Sequence, residues 1–214
     1  MFFLNKNIDC PLNYDNLPLS TPLSELSYTV FDTETTGFQV EKDDRLIEIG
    51  AVKVRGFEVI EDKQFQTYVN PNRHISQEIT ELTSITNEIV CDAPQALEAM
   101  YRFFDFIAET NSTCFVGHYV NFDMLVLKSE LKREKLTYRK YKSLDTLNLI
   151  GFLAPAYDIR DLERYAMAFN TRIYPRHSAI GDALTTAYLF VELLLQLYDR
   201  GIHTLGDLSR VNGQ

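Results

Sequence analysis

The sequence predicts an α/β fold, a layered domain built on a mixed sheet. Three observations lead there. Three runs with strand character follow one another between Ser27 and Asn70; a fourth, STCFVGH, comes only after an amphipathic helical segment; and the remainder reads as helices, the last of them, Ala179–Tyr198, with a nearly continuous apolar face. The order βββαβααα is that of an α/β layer. A chain of 214 residues with 45% apolar content supplies one domain with a sizeable core.

Residues 1–26 carry Pro11, Pro18 and Pro22 among Asn, Asp and Ser without helical or strand period, and are expected as an extended N-terminal arm, packed on the domain or loosely ordered. SYTVFD, RLIEIGAVKVRG and FEVIEDKQFQTYVN then read as strands, and their short connections suit an antiparallel meander. Residues 75–90 read as short helical pieces, and 94–110 as an amphipathic helix with Pro94 in its first turn. Because that helix intervenes, STCFVGH is expected parallel to the first strand. Residues 121–135 read as a helix with Phe122, Leu125, Val126 and Leu131 on one side. Further helices are expected near 145–152 and 160–169, and the face of the last one comprises Leu184, Ala187, Tyr188, Val191, Leu194 and Leu195. The domain is expected over 27–200, with 201–214 as a short C-terminal tail.

Composition excludes several classes. MFFLNKNIDC is apolar for only four residues, so it reads as neither signal peptide nor anchor, and no uninterrupted stretch approaches the roughly 18 apolar residues of a membrane helix. No membrane partner is expected. Cys10, Cys91 and Cys114 are odd in number, widely spaced and lack a CxxC pair, which suits reduced thiols in a cytoplasmic protein. A net charge of -9 argues against coating nucleic acid by bulk electrostatics, yet suits an enzyme that meets phosphates through bound cations. The exception is 128–142, where Lys128, Lys132, Arg133, Lys135, Arg139, Lys140 and Lys142 face only Glu130 and Glu134. Such a run is a solvated helix end or a surface that tracks a backbone or docks a partner.

In VFDTETTG, alternation sends Asp32 and Glu34 to one face of a strand. Thr33, Thr35 and Thr36 keep the following turn polar, and Gly37 permits close approach of a ligand to the backbone. Asp123, in VGHYVNFDM, falls in the first turn of a helix that follows a strand, and strand carboxyl ends are where α/β proteins gather ligands. Helix capping is its alternative role, as core packing is for His118. Asp182, in RHSAIGDAL, lies near another helix start, with His177 five residues earlier in the entering loop. Each acid has a local structural explanation; their coincidence points to one metal site.

DTET, HYVNFD and HSAIGD, in this order, resemble the three motifs of the DEDDh, or DnaQ-like, 3′-to-5′ exonuclease superfamily. RLIEIGAVKV, ITELTSITNEIV and LDTL extend the likeness over about 28–195. Within the superfamily the combination looks closest to the proofreading epsilon subunit of bacterial replicative polymerase and its stand-alone relatives. The resemblance implies an RNase H-like fold with a mixed five-stranded sheet flanked by helices. It further implies two divalent cations, Mg2+ or Mn2+, held by Asp32, Glu34, Asp123 and Asp182, with His177 as general base. Oxygen ligands suit such hard cations, and an ordinary histidine can accept a proton near neutral pH.

By the same likeness, Thr35, Thr36, Gly37 and Phe38 would cradle the terminal nucleotide. Glu78 would reach its sugar, Thr83 and Ile85 would line the pocket, Phe122 would wall it, and His118 would belong to the site; core packing is the alternative role, for Ile85 and Phe122 above all. Two positions depart from the family: Tyr119 stands where Asn is common and Ser84 where Gly is common. The implied function is metal-dependent release of 5′ mononucleotides from single-stranded or frayed DNA 3′ ends, in proofreading or repair. An exonuclease on RNA or short oligonucleotides would use the same residues. A non-catalytic nucleic-acid-binding module would not need the complete acid set. The chain ends at GIHTLGDLSRVNGQ, without the long tail by which the epsilon subunit holds its polymerase, so a polymerase partner has no support from the sequence.

Overall fold

Alternation along one strand sets up the whole architecture. In β1 (Ser27–Thr35), Tyr28 and Val30 enter one apolar cluster while Phe31 enters another, so the strand is covered on both faces. This is a computed structural model, and it describes residues 8–136, 141–156 and 159–213.

β1 pairs antiparallel with β2 (Leu46–Arg55), which pairs antiparallel with β3 (Glu58–Tyr68), forming the expected meander. On its other edge β1 pairs parallel with β4 (Cys114–Gly117), Tyr28 opposite Cys114 and Val30 opposite Val116. The sheet order is β3-β2-β1-β4-β5, with β5 (Ser143–Asp145) parallel to β4. This is the mixed five-stranded, RNase H-like sheet. β5 is only three residues long and overlaps the start expected for a helix, because its pairing with β4 outweighs any local period.

Helices α1 (Gln77–Thr83) and α2 (Asn87–Val90) form the short pieces after the meander. α3 (Ala96–Thr110) and α4 (Val120–Arg133) pack Phe103, Ile107, Val126 and Leu127 against Phe31 and Phe115. On the opposite face, α5 (Thr146–Leu153), α6 (Leu162–Ala168), α7 (Ala179–Asp199) and α8 (Leu205–Val211) cover Tyr28, Val30, Val52 and Val116. Leu189, Phe190, Leu193 and Leu194 of α7 are fully buried there. By length and composition α7 is apolar enough to cross a membrane, which apolar runs alone did not suggest; two-thirds of that stretch is instead buried within the domain.

The described part of the N-terminal arm meets the segment after α7. Pro22 bridges Thr204, Leu23 and Leu26 are buried in the core beside Leu205 and Leu208, and Tyr14 bonds Ser209. Residues 201–214, read as a tail, therefore carry a packed helix, opened by a capping box between Thr204 and Asp207. The described part of the arm packs on the domain, with Ile8 buried; its first seven residues lie outside the described residues.

Candidate active site

The carboxyl end of β1 is where the three motifs meet. Asp32 and Glu34 project on the face occupied by α7, and their carboxylate oxygens lie within 4.8 Å of those of Asp182 and of one another. Asp182 sits in the first turn of α7. Asp123, in the first turn of α4, approaches from the other face: its Oδ1 accepts hydrogen bonds from the Thr33 amide at 2.9 Å and the Thr33 hydroxyl at 2.6 Å. A cleft of about 330 Å³ opens over this junction, lined among others by Asp32, Glu34, Asp182 and His177.

Two buried carboxylates hold the helices that carry these acids. Glu48 of β2 pairs with Glu34 across the ladder, and its Oε2 accepts the Ala179 amide at 2.9 Å, tying down the start of α7. Gln66 donates to its Oε1 at 2.7 Å. Gly50, opposite Asp32, lets α7 approach so closely that a Cβ there would lie 2.1 Å from the Ile180 nitrogen. Asp145 acts likewise for α4: Oδ1 accepts from Tyr119 N at 3.2 Å and Oδ2 from Val120 N at 3.1 Å, while Leu147 N of α5 also donates to Oδ1. Each satisfies helix-terminal amides that otherwise lack intrahelical partners. The signals available in the sequence were a lone acid amid the apolar run IEIGAV and an Asp preceding a helical pattern.

The site is electrostatically unbalanced. Burial first, then the neighbouring Asp123, raises the Asp32 carboxyl well above its ordinary range. Burial and Asp182 push Glu34 up to about 8. Asp123 is raised to about 7 by burial, against the opposing effect of the Thr33 hydrogen bonds. Asp182 is raised by burial and lowered by Arg176, whose guanidinium pairs with Oδ1; the His177 amide donates to Oδ2 at 3.3 Å. Arg176 was not singled out by motif reasoning, although it directly precedes His177. Clustered oxygen donors whose negative charge is disfavoured fit a hard divalent cation, which would offset the burial and mutual repulsion that raise these groups.

The other expected site residues divide. Thr35, Gly37, Phe38, Thr83, His118 and Phe122 line the cleft. Phe38, 85% exposed at the tip of the loop after β1, meets Phe122 with ring centroids 5.9 Å apart. Thr36 instead holds that loop, its hydroxyl donating to Asp44 and accepting from the Arg45 amide. Glu78 is exposed on α1 and is not among the cleft-lining residues. Ile85, 2% exposed, packs with Ile47, Ile75 and Val90, so its contribution is to the small core under α1 and α2. His118 donates or accepts through Nδ1 with the Thr146 hydroxyl at 2.8 Å, and burial lowers its pKa to about 4. Thr33 and Arg176 line it too, and Ile79, Leu82, Tyr119, Arg160, Asp161 and Leu162 do so without having been expected there.

Both departures from the family pattern fall on left-handed backbone: Ser84 ends α1 with φ 62° and Tyr119 precedes α4 with φ 61°. Glycine and asparagine are the residues that tolerate this conformation best. Backbone geometry thus accounts for the family preference at these positions without invoking substrate contacts.

The family model described as Exonuclease (RNase_T) matches residues 29–190. The chain belongs to this exonuclease family. Like the DEDDh members of the superfamily, this exonuclease domain carries the three motifs in order. It is 35% identical over 92% of its length to the DNA polymerase III PolC-type of Caldanaerobacter subterraneus subsp. tengcongensis, of which the match spans 14%. The chain therefore covers about one-seventh of that relative. Among solved structures, the nuclease domain of 3′hExo, a DEDDh family member bound to rAMP, superposes with a TM-score of 0.71 at 18% identity, covering 79% of this chain and 92% of that one. Exonuclease X in complex with 5′ overhanging duplex DNA superposes with a TM-score of 0.64 at 21% identity, covering 87% and 99%.

Proposed function

We propose that this exonuclease removes nucleotides from DNA 3′ ends by divalent-cation-dependent hydrolysis, releasing 5′ mononucleotides, in the proofreading context that its PolC-type relatives suggest. A cytoplasmic location accords with that role. The observation that carries the reading is the convergence of Asp32, Glu34 and Asp182 in one cleft with His177, above an Asp123 already oriented by Thr33.

Asp32, Glu34, Asp123 and Asp182 would hold two divalent cations, Mg2+ or Mn2+. When bound, such cations stabilise the attacking and leaving oxygens of an in-line displacement at phosphorus. His177 stands on the loop entering α7, its amide anchored on Asp182, and its imidazole accepts the proton of the attacking water. Phe38 and Phe122 form the apolar wall against the terminal base or sugar, and the Thr35–Phe38 backbone receives the 3′ end. A strand end must enter a cleft of about 330 Å³, which favours single-stranded or frayed DNA.

The test is release of nucleotide from a 3′-labelled DNA oligomer and its RNA counterpart with magnesium. Asp32→Ala abolishes release, and His177→Ala lowers turnover by about 100-fold while Mn2+ binding persists. Release undiminished in Asp32→Ala would overturn the site assignment; faster cleavage of RNA would redirect the substrate class.

A further inference from the structure

Among the described residues, the basic run does not form one patch. Lys142 turns to the ring of Tyr14 in the arm, at 5.0 Å, and Arg139 and Lys140 lie outside the described residues. Lys128, Lys132 and Arg133 instead join Lys42, from the loop after β1, around a separate groove of about 270 Å³. Arg133 builds this groove: its Nη2 donates to the carbonyls of Val40, Lys42 and Asp44 at 2.6, 2.9 and 3.0 Å, clasping the loop to α4. Glu130, 2% exposed, is neutralised by Arg45 and Arg133, and Asp44 by Arg73. Glu41 is the acid left at the groove's lining.

The groove and the cleft are built from the same two elements, the loop after β1 and α4. The same loop presents Phe38 and the same helix presents Phe122, which meet at the cleft wall. From Phe122, Lys128 and Lys132 lie roughly 9 and 15 Å farther along α4 at the helical rise per residue. Their separation of four residues puts them on one side of the helix, and both are exposed. On a chain of net charge -9, a cationic groove built on the same loop and helix as the cleft wall is matched to a polyanion engaged at the cleft.

We propose that Lys42, Lys128 and Lys132 bind the phosphates of the DNA strand a few nucleotides upstream of the 3′ end being cut. This rests on the nucleolytic reading of the cleft. Contacts to phosphates orient the strand without reading its sequence, so the groove would set affinity for longer substrates and leave the chemistry at the terminus unchanged.

The experiment compares the full chain with Lys128→Glu/Lys132→Glu and with the milder Lys128→Gln/Lys132→Gln, after confirming equal thermal stability. Three probes are used: the p-nitrophenyl ester of thymidine 5′-monophosphate, a dinucleotide, and single-stranded DNA about 15 nucleotides long. For the longest, we expect KM to rise about tenfold or more in the Glu pair with kcat unchanged, and the log-log salt slope to shrink by about 1–2. The ester and dinucleotide should be cleaved at the wild-type rate. Unchanged KM and salt slope for the long strand would overturn the proposal and leave the groove to an acidic protein partner. Fluorescence anisotropy of the long strand, read without turnover, separates the two ideas. Failure of the wild-type chain to cleave any probe removes the nucleolytic reading, whereas anisotropy unaffected by the charge reversals removes the groove.

Discussion

Gly50→Ala tests how tightly the sheet positions the acids. The methyl group would lie 2.1 Å from the Ile180 nitrogen, 2.2 Å from the Ala179 carbonyl carbon and 2.5 Å from its oxygen. Ordinary contact begins near 3.4 Å, and the obstructing atoms are backbone, so the start of α7 must retreat by about 1 Å or the sheet must distort. The retreat also stretches the Glu48 bond to the Ala179 amide from its present 2.9 Å. Overpacking of this kind costs about 1–3 kcal/mol, or roughly 2–12 °C in Tm for a domain of this size. Asp182 lies only two residues beyond Ile180, and with Asp182 in its proposed role a displacement of about 1 Å there should cost about 100-fold in rate. Thermal unfolding and single-turnover nucleotide release at saturating magnesium report the two effects separately. Gly151→Ala in α5 is the control, since its Cβ would meet nothing within 4 Å. Wild-type Tm and turnover in Gly50→Ala would refute the view that this contact places Asp182.

The backbone explanation for Ser84 predicts that Ser84→Gly raises stability by about 1 kcal/mol, read as a Tm increase of about 2–4 °C, with nucleotide release unchanged; a fall in Tm would count against it. The carboxylates predict a pH effect of definite sign. Glu34 goes from 4.5 to about 8 and Asp32 is raised with it, so the folded state holds more protons than the unfolded chain across that window. Without divalent cation, stability therefore falls as pH rises from about 4.5 to about 8. The Tm gained on adding magnesium should grow over the same range, and a gain independent of pH would contradict the assignment.

Much of this was legible in the order of residues. Local spacing decides which face a side chain takes, so Asp32 and Glu34 could be paired on paper, and the helix starts before Asp123 and Asp182 could be recognised. The strands of the meander, the parallel β4 and the long helices have periods strong enough to read. β5 and α8 do not. The first is defined by pairing with β4, and the second by burial of Leu205 and Leu208 beside the N-terminal arm. Ile85 stayed open between pocket and core for the same reason: whether an isoleucine lines a cleft or fills a core depends on what lies opposite it, here Ile47 and Val90.

By itself, then, the sequence determined the fold class and the family to which the chain belongs, and it raised the expectation that Asp32, Glu34, Asp123 and Asp182 act with His177. Those depend on residue identity, order and short-range geometry. Tertiary structure alone decided that Glu48 and Asp145 anchor the acid-bearing helices, that Arg176 pairs with Asp182, and that the basic run divides between the arm and a groove beside the cleft. The physical reason is distance along the chain. Glu48 and Ala179, 131 positions apart, share a hydrogen bond only because an apolar sheet buries α7 against β2, and no local pattern records that meeting.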